Sequence, residues 1–313
     1  MKTGERNGEI METSFEQKNE QKPIATPSRT AELLRRNGLS AKKGLGQNFL
    51  VEQKIAEKIV AAADVQKSDF VVEIGPGLGA LTQYLAQKAQ SVAAVELDGR
   101  LAAVLRETLA ESGNLRVIEA DARKTDLDAL AQEQGREDFK LVANLPYYIT
   151  TPLLMHFLEY SRGWQVMVLM LQKEVAARIM AAPGGKDYGA LSLAVQYHAK
   201  VEKVLTAPPA VFLPRPQVES VVIRLTPLPG KAVAVADEQL FFSVIGAAFA
   251  QRRKTLLNSL CGSGLKDKPF WQFALSACGI EPARRGETLS LAEFALLADH
   301  CHRGYTQNPE CTR

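Results

Sequence analysis

Val71-Val72-Glu73-Ile74-Gly75-Pro76-Gly77-Leu78-Gly79-Ala80 is the stretch on which the reading of this chain turns. A run of β-forming residues ends in a glycine turn, and an amphipathic helix is expected to open near Leu78, with Leu81, Tyr84 and Leu85 on its inner face. Glycine adopts backbone geometries closed to other residues and lets a ligand approach the main chain closely. Free N–H groups at the start of the helix would then face that ligand. The expectation is a nucleotide-cofactor site at the C-terminal end of a first strand. The turn also satisfies G-x-G-x-x-G/A, the dinucleotide fingerprint, so by itself it does not choose the cofactor.

Working outward, strand and helix patterns alternate. Phe70–Ile74, Ser91–Leu97, Leu115–Glu119, Phe139–Ala143 and Val166–Leu171 read as strands. Leu101, Val104 and Leu105 mark a helix, and Thr151-Pro152 a helix start. Such alternation predicts an α/β fold: a Rossmann-like parallel sheet with helices on both faces. Val201–Leu205 and Val218–Leu225 supply later strands, one of them antiparallel at or near the edge. Before the sheet, Arg29 to Asn37 suggests a helix ending at Gly38, and Val51, Ile55 and Ile59 place another over roughly 51–62. After Pro227–Ala236, a linker by composition, helices are expected near 238–250, 270–278 and 291–299. Ser290 and Glu293 form a capping box for the last of these. The expected organisation is a flexible tail (1–28), a sheet domain (29–226), a linker (227–236), a small all-helical domain (237–300) and a second tail (301–313).

Bulk numbers fit this picture. The chain has 313 residues, 46% hydrophobic and 23% charged, as in an ordinary soluble globule. It shows no long uncharged apolar run and no apolar secretion signal, so a cytoplasmic protein with no membrane partner is expected. Four cysteines, Cys261, Cys278, Cys301 and Cys311, form no C-x-x-C pair and are expected as reduced thiols. His300-Cys301-His302 with Cys311 does not follow a standard zinc pattern, so no metal is expected. From Gln251 onward nine Lys/Arg stand against six Asp/Glu, which is the whole net charge of +3. A polyanionic partner would therefore meet local basic patches. Arg252, Arg253 and Lys254 are the candidates for phosphate contact.

Three constellations carry chemistry. Glu96 ends the second strand, 21 residues after Gly75, where a carboxylate can accept both ribose hydroxyls of a nucleoside. Asp121 follows the third strand at the same sheet edge and can accept from an exocyclic adenine amine. Asn144-Leu145-Pro146-Tyr147 is the specific signal. An amine conjugated to a purine is a poor nucleophile because its lone pair is delocalised. Asn144 Oδ1 and the carbonyl of Leu145 or Pro146 can accept its hydrogens and hold the nitrogen partly pyramidal, with its lone pair aimed at a methyl sulfonium. Pro146 restricts the turn, and Tyr147 offers a ring on which a base stacks. Catalysis would rest on positioning and electrostatics, with no covalent nucleophile. His156 and His198 read as structural.

Together with Gly44–Leu50, Glu73–Gly79, Phe212-Leu-Pro-Arg-Pro-Gln-Val-Glu-Ser220 and Phe249–Thr255, these residues resemble the ribosomal RNA adenine N6-methyltransferase family in its bacterial small-subunit (kasugamycin-sensitivity) branch. The resemblance spans about residues 28 to 300. It implies S-adenosyl-L-methionine as cofactor and transfer of four methyl groups to N6 of two adjacent adenosines, in the 3′-terminal hairpin loop of 16S rRNA. The implied partner is the small (30S) ribosomal subunit or its late assembly intermediate, met by a monomer acting in ribosome biogenesis. By resemblance the cofactor contacts fall on Asn48, Leu50, Gly75, Gly77, Glu96, Asp121 and Asn144. The base pocket falls on Asn144 and Tyr147. Asn48 and Tyr148 stand where many relatives carry histidine and asparagine.

Three alternatives stay in view. A 23S rRNA adenine dimethyltransferase of the macrolide-resistance type would share fold and chemistry, although segments 212–220 and 251–255 favour the small-subunit enzyme. An NAD-dependent oxidoreductase would need a hydride-acceptor site that no motif proposes. A mainly binding assembly factor would not need Gly75, Glu96, Asp121 and Asn144 together.

Overall fold

The computed structural model describes residues 23–42, 44 and 46–307. Its first helix, α1 (Pro27–Arg36), starts two residues before the expected Arg29. Thr26 caps it by accepting the Arg29 N–H, and Pro27 sits where a missing N–H breaks no helical bond. The expected tail boundary at residue 28 is too late, because Ile24 and Ala25 are buried. The Ile24 N–H donates to Gln83 Oε1 and its carbonyl accepts the Thr30 hydroxyl. Room for Ile24 comes from Gly79, where an added Cβ would stand 3.3 Å from Ile24 and 2.8 Å from Leu105. The rest of that expected tail, 1–22, lies outside the described residues.

After β1 (Phe49–Leu50) and α2 (Gln53–Ala62) the chain enters the sheet. Five strands run parallel: β2 (Phe70–Ile74), β3 (Ser91–Glu96), β4 (Leu115–Glu119), β5 (Phe139–Asn144) and β6 (Trp164–Gln172). They are joined through α3 (Thr82–Lys88), α4 (Gly99–Thr108), α5 (Leu127–Gln132) and α6 (Thr150–Tyr160). Then come α7 (Lys173–Met180), α8 (Ala190–His198), β7 (Ala199–Ala207), β8 (Phe212–Leu213) and β9 (Ser220–Pro227). The seven strands lie in the order β4-β3-β2-β5-β6-β9-β7, with β9 antiparallel to both its neighbours. The expected antiparallel strand is thus present, next to the edge strand β7.

β2 is buried along its whole length, as a central parallel strand must be. Its residues alternate between two cores. Val72, Leu141 and Leu169 pack on one face, Val71, Val142 and Val168 on the other. The chain moves from β2 toward β3 and β4, then returns to place β5 on β2's other side. Loops after β2 and β5 therefore diverge and open a crevice at the C-terminal ends of the strands.

The glycine turn differs from expectation. Residues 77–81 form a turn, and α3 begins only at Thr82. Gly79 holds φ at +97°, which a helix starting at Leu78 could not contain, and Gly75 and Gly77 before it stand at +67° and +58°.

The C-terminal unit comprises α9 (Glu238–Phe249), α10 (Leu256–Cys261), α11 (Lys268–Ala277) and α12 (Leu291–Gln307). The capping box forms: Ser290 Oγ accepts the Glu293 N–H, and Glu293 Oε2 accepts the Ser290 N–H. α12 runs past the expected end because Phe294, Leu297, Ala298 and Cys301 continue one buried stripe. Residues 301–307 are therefore helix rather than tail, while 308–313, including Cys311, lie outside the described residues. Phe241, Trp271 and Phe294 share a core with Tyr188 and with Leu193 and Tyr197 of α8, so the helical unit is packed on the sheet domain. The linker is fastened too, Leu228 N–H to the His198 carbonyl and Ala232 N–H to that of Tyr197. Among the described residues no helix is long and apolar enough to cross a membrane.

His198 closes α8 between the rings of Tyr197 and Phe242, with Lys231 Nζ 3.0 Å from its Nδ1. Burial, then the Lys231 charge, pushes its pKa down to about 4. Below the unfolded value of 6.5 the unfolded chain takes a proton that the folded chain refuses, so stability falls as pH drops from 6.5 toward 4. Urea midpoints at pH 7 and pH 5 should show His198→Asn losing less than the wild type over that interval, by about 0.5–1 kcal/mol once solvent screening of the half-buried ring is allowed for. Equal losses would place the acid sensitivity elsewhere.

Candidate active site

The crevice between β2 and β5 continues into one cavity. All ten residues taken from the sequence as cofactor or catalytic candidates line it: Asn48, Leu50, Gly75, Gly77, Glu96, Asp121, Asn144, Leu145, Pro146 and Tyr147. They come from five separate segments, four at the C-terminal ends of β2, β3, β4 and β5 and the fifth at β1. Arg252, Arg253 and Lys254 do not reach it; they are exposed in the turn between α9 and α10. There the Arg252 Nη2 donates to the Lys186 carbonyl at 2.6 Å, which fixes the turn against the loop before α8.

The three glycines of the turn do not offer free donors. Gly75 N–H goes to the Val95 carbonyl, Gly77 N–H to Glu96 Oε2 and Gly79 N–H to the Pro76 carbonyl. Buried amides must be satisfied somewhere, and here the left-handed glycines turn them back into the protein. At these three positions the N–H groups are therefore turned away from a ligand. What glycine provides is closeness: a Cβ at Gly77 would sit 3.3 Å from the Phe49 ring, and one at Gly75 would sit 3.8 Å from the Asn144 carbonyl.

Electrostatically the cavity is acidic. Glu73, Glu96 and Asp121 line it, and no Lys, Arg or His is among the described lining residues. Glu96 accepts N–H groups from Gly77 at 3.1 Å and Asp98 at 2.9 Å. Burial pushes its carboxyl up, while those N–H bonds pull the other way. Asp121 is held down by hydrogen bonds from Arg123, whose guanidinium grips both carboxylate oxygens. Asp98, just outside, carries Lys42 Nζ at 2.7 Å. Its burial is outweighed by the Lys42 and Arg100 bonds, which hold it at about 2.

Glu73 was not singled out from the sequence. It is 1% exposed, in the middle of the buried β2, with Oε2 lacking any hydrogen-bond partner. Burial first, and the Glu96 charge as well, push it up to about 8. The available signal was a carboxylate in an otherwise apolar strand directly before the turn. Leu97, 48% exposed beside Glu96, is a second lining residue that gave no sequence signal.

At the end of β5 the polar groups are already oriented. Asn144 Nδ2 donates to the Asn48 carbonyl at 3.3 Å, leaving Oδ1 as the amide's acceptor. The Pro146 carbonyl accepts both the Ile149 N–H and the Thr150 hydroxyl. Of the two carbonyls considered from the sequence, this leaves that of Leu145 for an incoming donor. Tyr147 starts the short 3₁₀ turn Tyr147–Ile149, half-buried, with its hydroxyl 2.9 Å from Ser220 Oγ.

Comparison with known proteins follows the same lines. A family model described as ribosomal RNA adenine dimethylase matches residues 38–300. The chain is 51% identical over 283 residues to ribosomal RNA small subunit methyltransferase A of Geobacillus thermodenitrificans, covering 89% of this chain and 97% of that protein. The protein of the same name from Bacillus cereus is 49% identical over 283 residues, with the same coverage. Among solved structures, a dimethyladenosine transferase from Plasmodium falciparum superposes with a TM-score of 0.69 at 27% identity, over 83% of this chain and 98% of that one. The 23S rRNA methyltransferase ErmE gives 0.62 at 25% identity, over 82% and 100%.

Glu73 makes a prediction about the ligand-free protein. Its carboxyl is neutral when folded up to about pH 8 but ionises above 4.5 when unfolded, so stability is greatest below 4.5 and is lost as pH rises to 8. The slope approaches 1.36 kcal/mol per pH unit at most. Glu73→Gln should therefore gain on the wild type by roughly 2–3 kcal/mol between pH 5.5 and pH 8 in urea midpoints. Parallel curves would show that Glu73 is not held neutral.

Proposed function

This chain belongs to the ribosomal RNA adenine dimethylase family and is an rRNA adenine dimethyltransferase; we propose that its substrate is 16S rRNA in the small ribosomal subunit or a late assembly intermediate. It transfers four methyl groups, two to N6 of each of two adjacent adenosines in the 3′-terminal hairpin loop, as a step of ribosome biogenesis. Support for the small subunit comes from relatives near 50% identity that carry that name, against 25% for the 23S enzyme.

The cavity fits S-adenosylmethionine better than a dinucleotide. The carboxyl groups of Glu96 and Asp121, with no lining cation among the described residues, disfavour a pyrophosphate and suit a cationic ligand. When bound, S-adenosylmethionine supplies an electrophilic methyl group on a sulfonium. Glu96 would accept the ribose hydroxyls and Asp121 the adenine amine. Asn48, Leu50, Gly75 and Gly77 would form the walls, and Glu73 would face positive charge with its unpartnered oxygen.

The observation that carries the reaction class is the orientation of Asn144 by the Asn48 carbonyl. With the amide's donor half engaged, Oδ1 and the Leu145 carbonyl would accept the two hydrogens of the target amine. That would draw the nitrogen lone pair out of conjugation and aim it at the methyl group that the cofactor would supply. The methylated amine is briefly cationic and sheds a proton without a strong base. Tyr147 would hold the base by stacking, and Arg252, Arg253 and Lys254 would contact RNA phosphates away from the crevice.

Labelled methyl transfer to small subunits lacking these modifications, with large-subunit RNA in parallel, tests this reading. Four methyl groups per small subunit, all as N6,N6-dimethyladenosine, is the expected result. Asn144→Ala should cut transfer by ~100-fold or more while cofactor binding survives. Label entering only large-subunit RNA, or near-normal transfer by the variant, would contradict it.

A further inference from the structure

The segment Phe212–Ser220 ends on a residue that the reaction described above does not use. Ser220 opens β9 and is fully buried. Its backbone is fixed on both sides, opposite Gln172 of β6 and Ala207 of β7. Its hydroxyl meets the hydroxyl of Tyr147, 73 residues earlier, at 2.9 Å. Either oxygen can donate, so the bond forms whichever way the protons lie.

The phenol oxygen lies on the long axis of the ring. A bond there fixes the direction of that axis, and so the side-chain χ1, while a ring flip about χ2 leaves it intact. Tyr147 is therefore tethered at its base by the turn after Pro146 and at its tip by the buried start of β9. A ring held at both ends keeps its long axis, and so the place of its stacking face, fixed.

We propose that Ser220 is a positioning residue for the second of the two methyl transfers to each adenine, acting through the Tyr147 hydroxyl. The inference rests on the amine-clamp reading of Asn144 and Leu145. In the first round the target amine has two hydrogens for two acceptors. In the second it has one, and one acceptor goes unused. Less of the holding then comes from hydrogen bonds and more from the stacking surface. Loosening the ring thus slows the second transfer more than the first. A general loss of folded enzyme would slow both alike.

The test is a time course on small subunits lacking the modifications, with N6-methyladenosine and N6,N6-dimethyladenosine resolved. Ser220→Ala should slow the second transfer about 3- to 10-fold, more than the first, so that the monomethyl product accumulates. Tyr147→Phe, which leaves β9 untouched and covers the case that Ser220→Ala folds poorly, should shift the ratio the same way. The double variant should be no worse than either single one, since both remove one bond. Ser220→Thr keeps the hydroxyl and should return the ratio toward that of the wild type. A wild-type product ratio in both single variants, or equal slowing of both steps, overturns the assignment to Ser220 alone. A wild-type enzyme that yields no dimethyladenosine overturns the amine clamp and this inference together.

Discussion

Two buried parallel strands whose continuations leave in opposite directions create the only constraint the site cannot do without. β2 and β5 pair from Val71–Lys140 to Ile74–Ala143, and beyond that register the two chains separate. The gap cannot be filled by either strand, because Gly75 turns back with positive φ and Asn144 is followed by the Leu145-Pro146 turn. Everything chemical is arranged around that gap. Burial on both faces of the sheet fixes its width to within the tolerance of packed side chains.

Short ties then bring distant segments to the same edge. β1 pairs with β8, Phe49 opposite Leu213 and Leu50 opposite Phe212, so the loop bearing Asn48 is joined to the proline-rich segment. Asn144 reaches the Asn48 carbonyl, Tyr147 reaches Ser220, and Lys42 reaches the buried Asp98. Each tie is worth on the order of 1 kcal/mol in net stability. Their larger effect is geometric, because they remove the freedom of loops that must hold a reacting nitrogen in place. The acidity of the cavity is a separate device. Burial raises the pKa of Glu73 and Glu96, and a cationic occupant would offset that by favouring their ionised forms.

Much of this was legible in the sequence because it depends on local pattern. Phe70–Ile74 and Leu115–Glu119 read as strands from composition alone and end where expected. Ten of the residues that line the cavity were found because strand ends, glycines and an Asn-Leu-Pro-Tyr turn mark themselves. Short helices such as α5 and α10, with six residues each, are too brief to show a period. The start of α3 was misplaced because apolar spacing does not report φ, and Gly79 takes a φ no helix holds. Burial of Ile24 depends on the missing side chain of Gly79, a tertiary fact invisible in either segment. Glu73 and Ser220 were hidden for a similar reason: each acquires its role from a neighbour that only the fold supplies.

The most direct measurement is amide hydrogen exchange of the protein with and without S-adenosylmethionine. The account predicts new protection at 46–50, 73–81, 96–98, 120–123 and 144–147, the segments that meet at the ends of β2 and β5. Protection concentrated instead at the opposite end of the sheet, around Gln90, Asn114 and Arg136, where a second cavity lies, would contradict it.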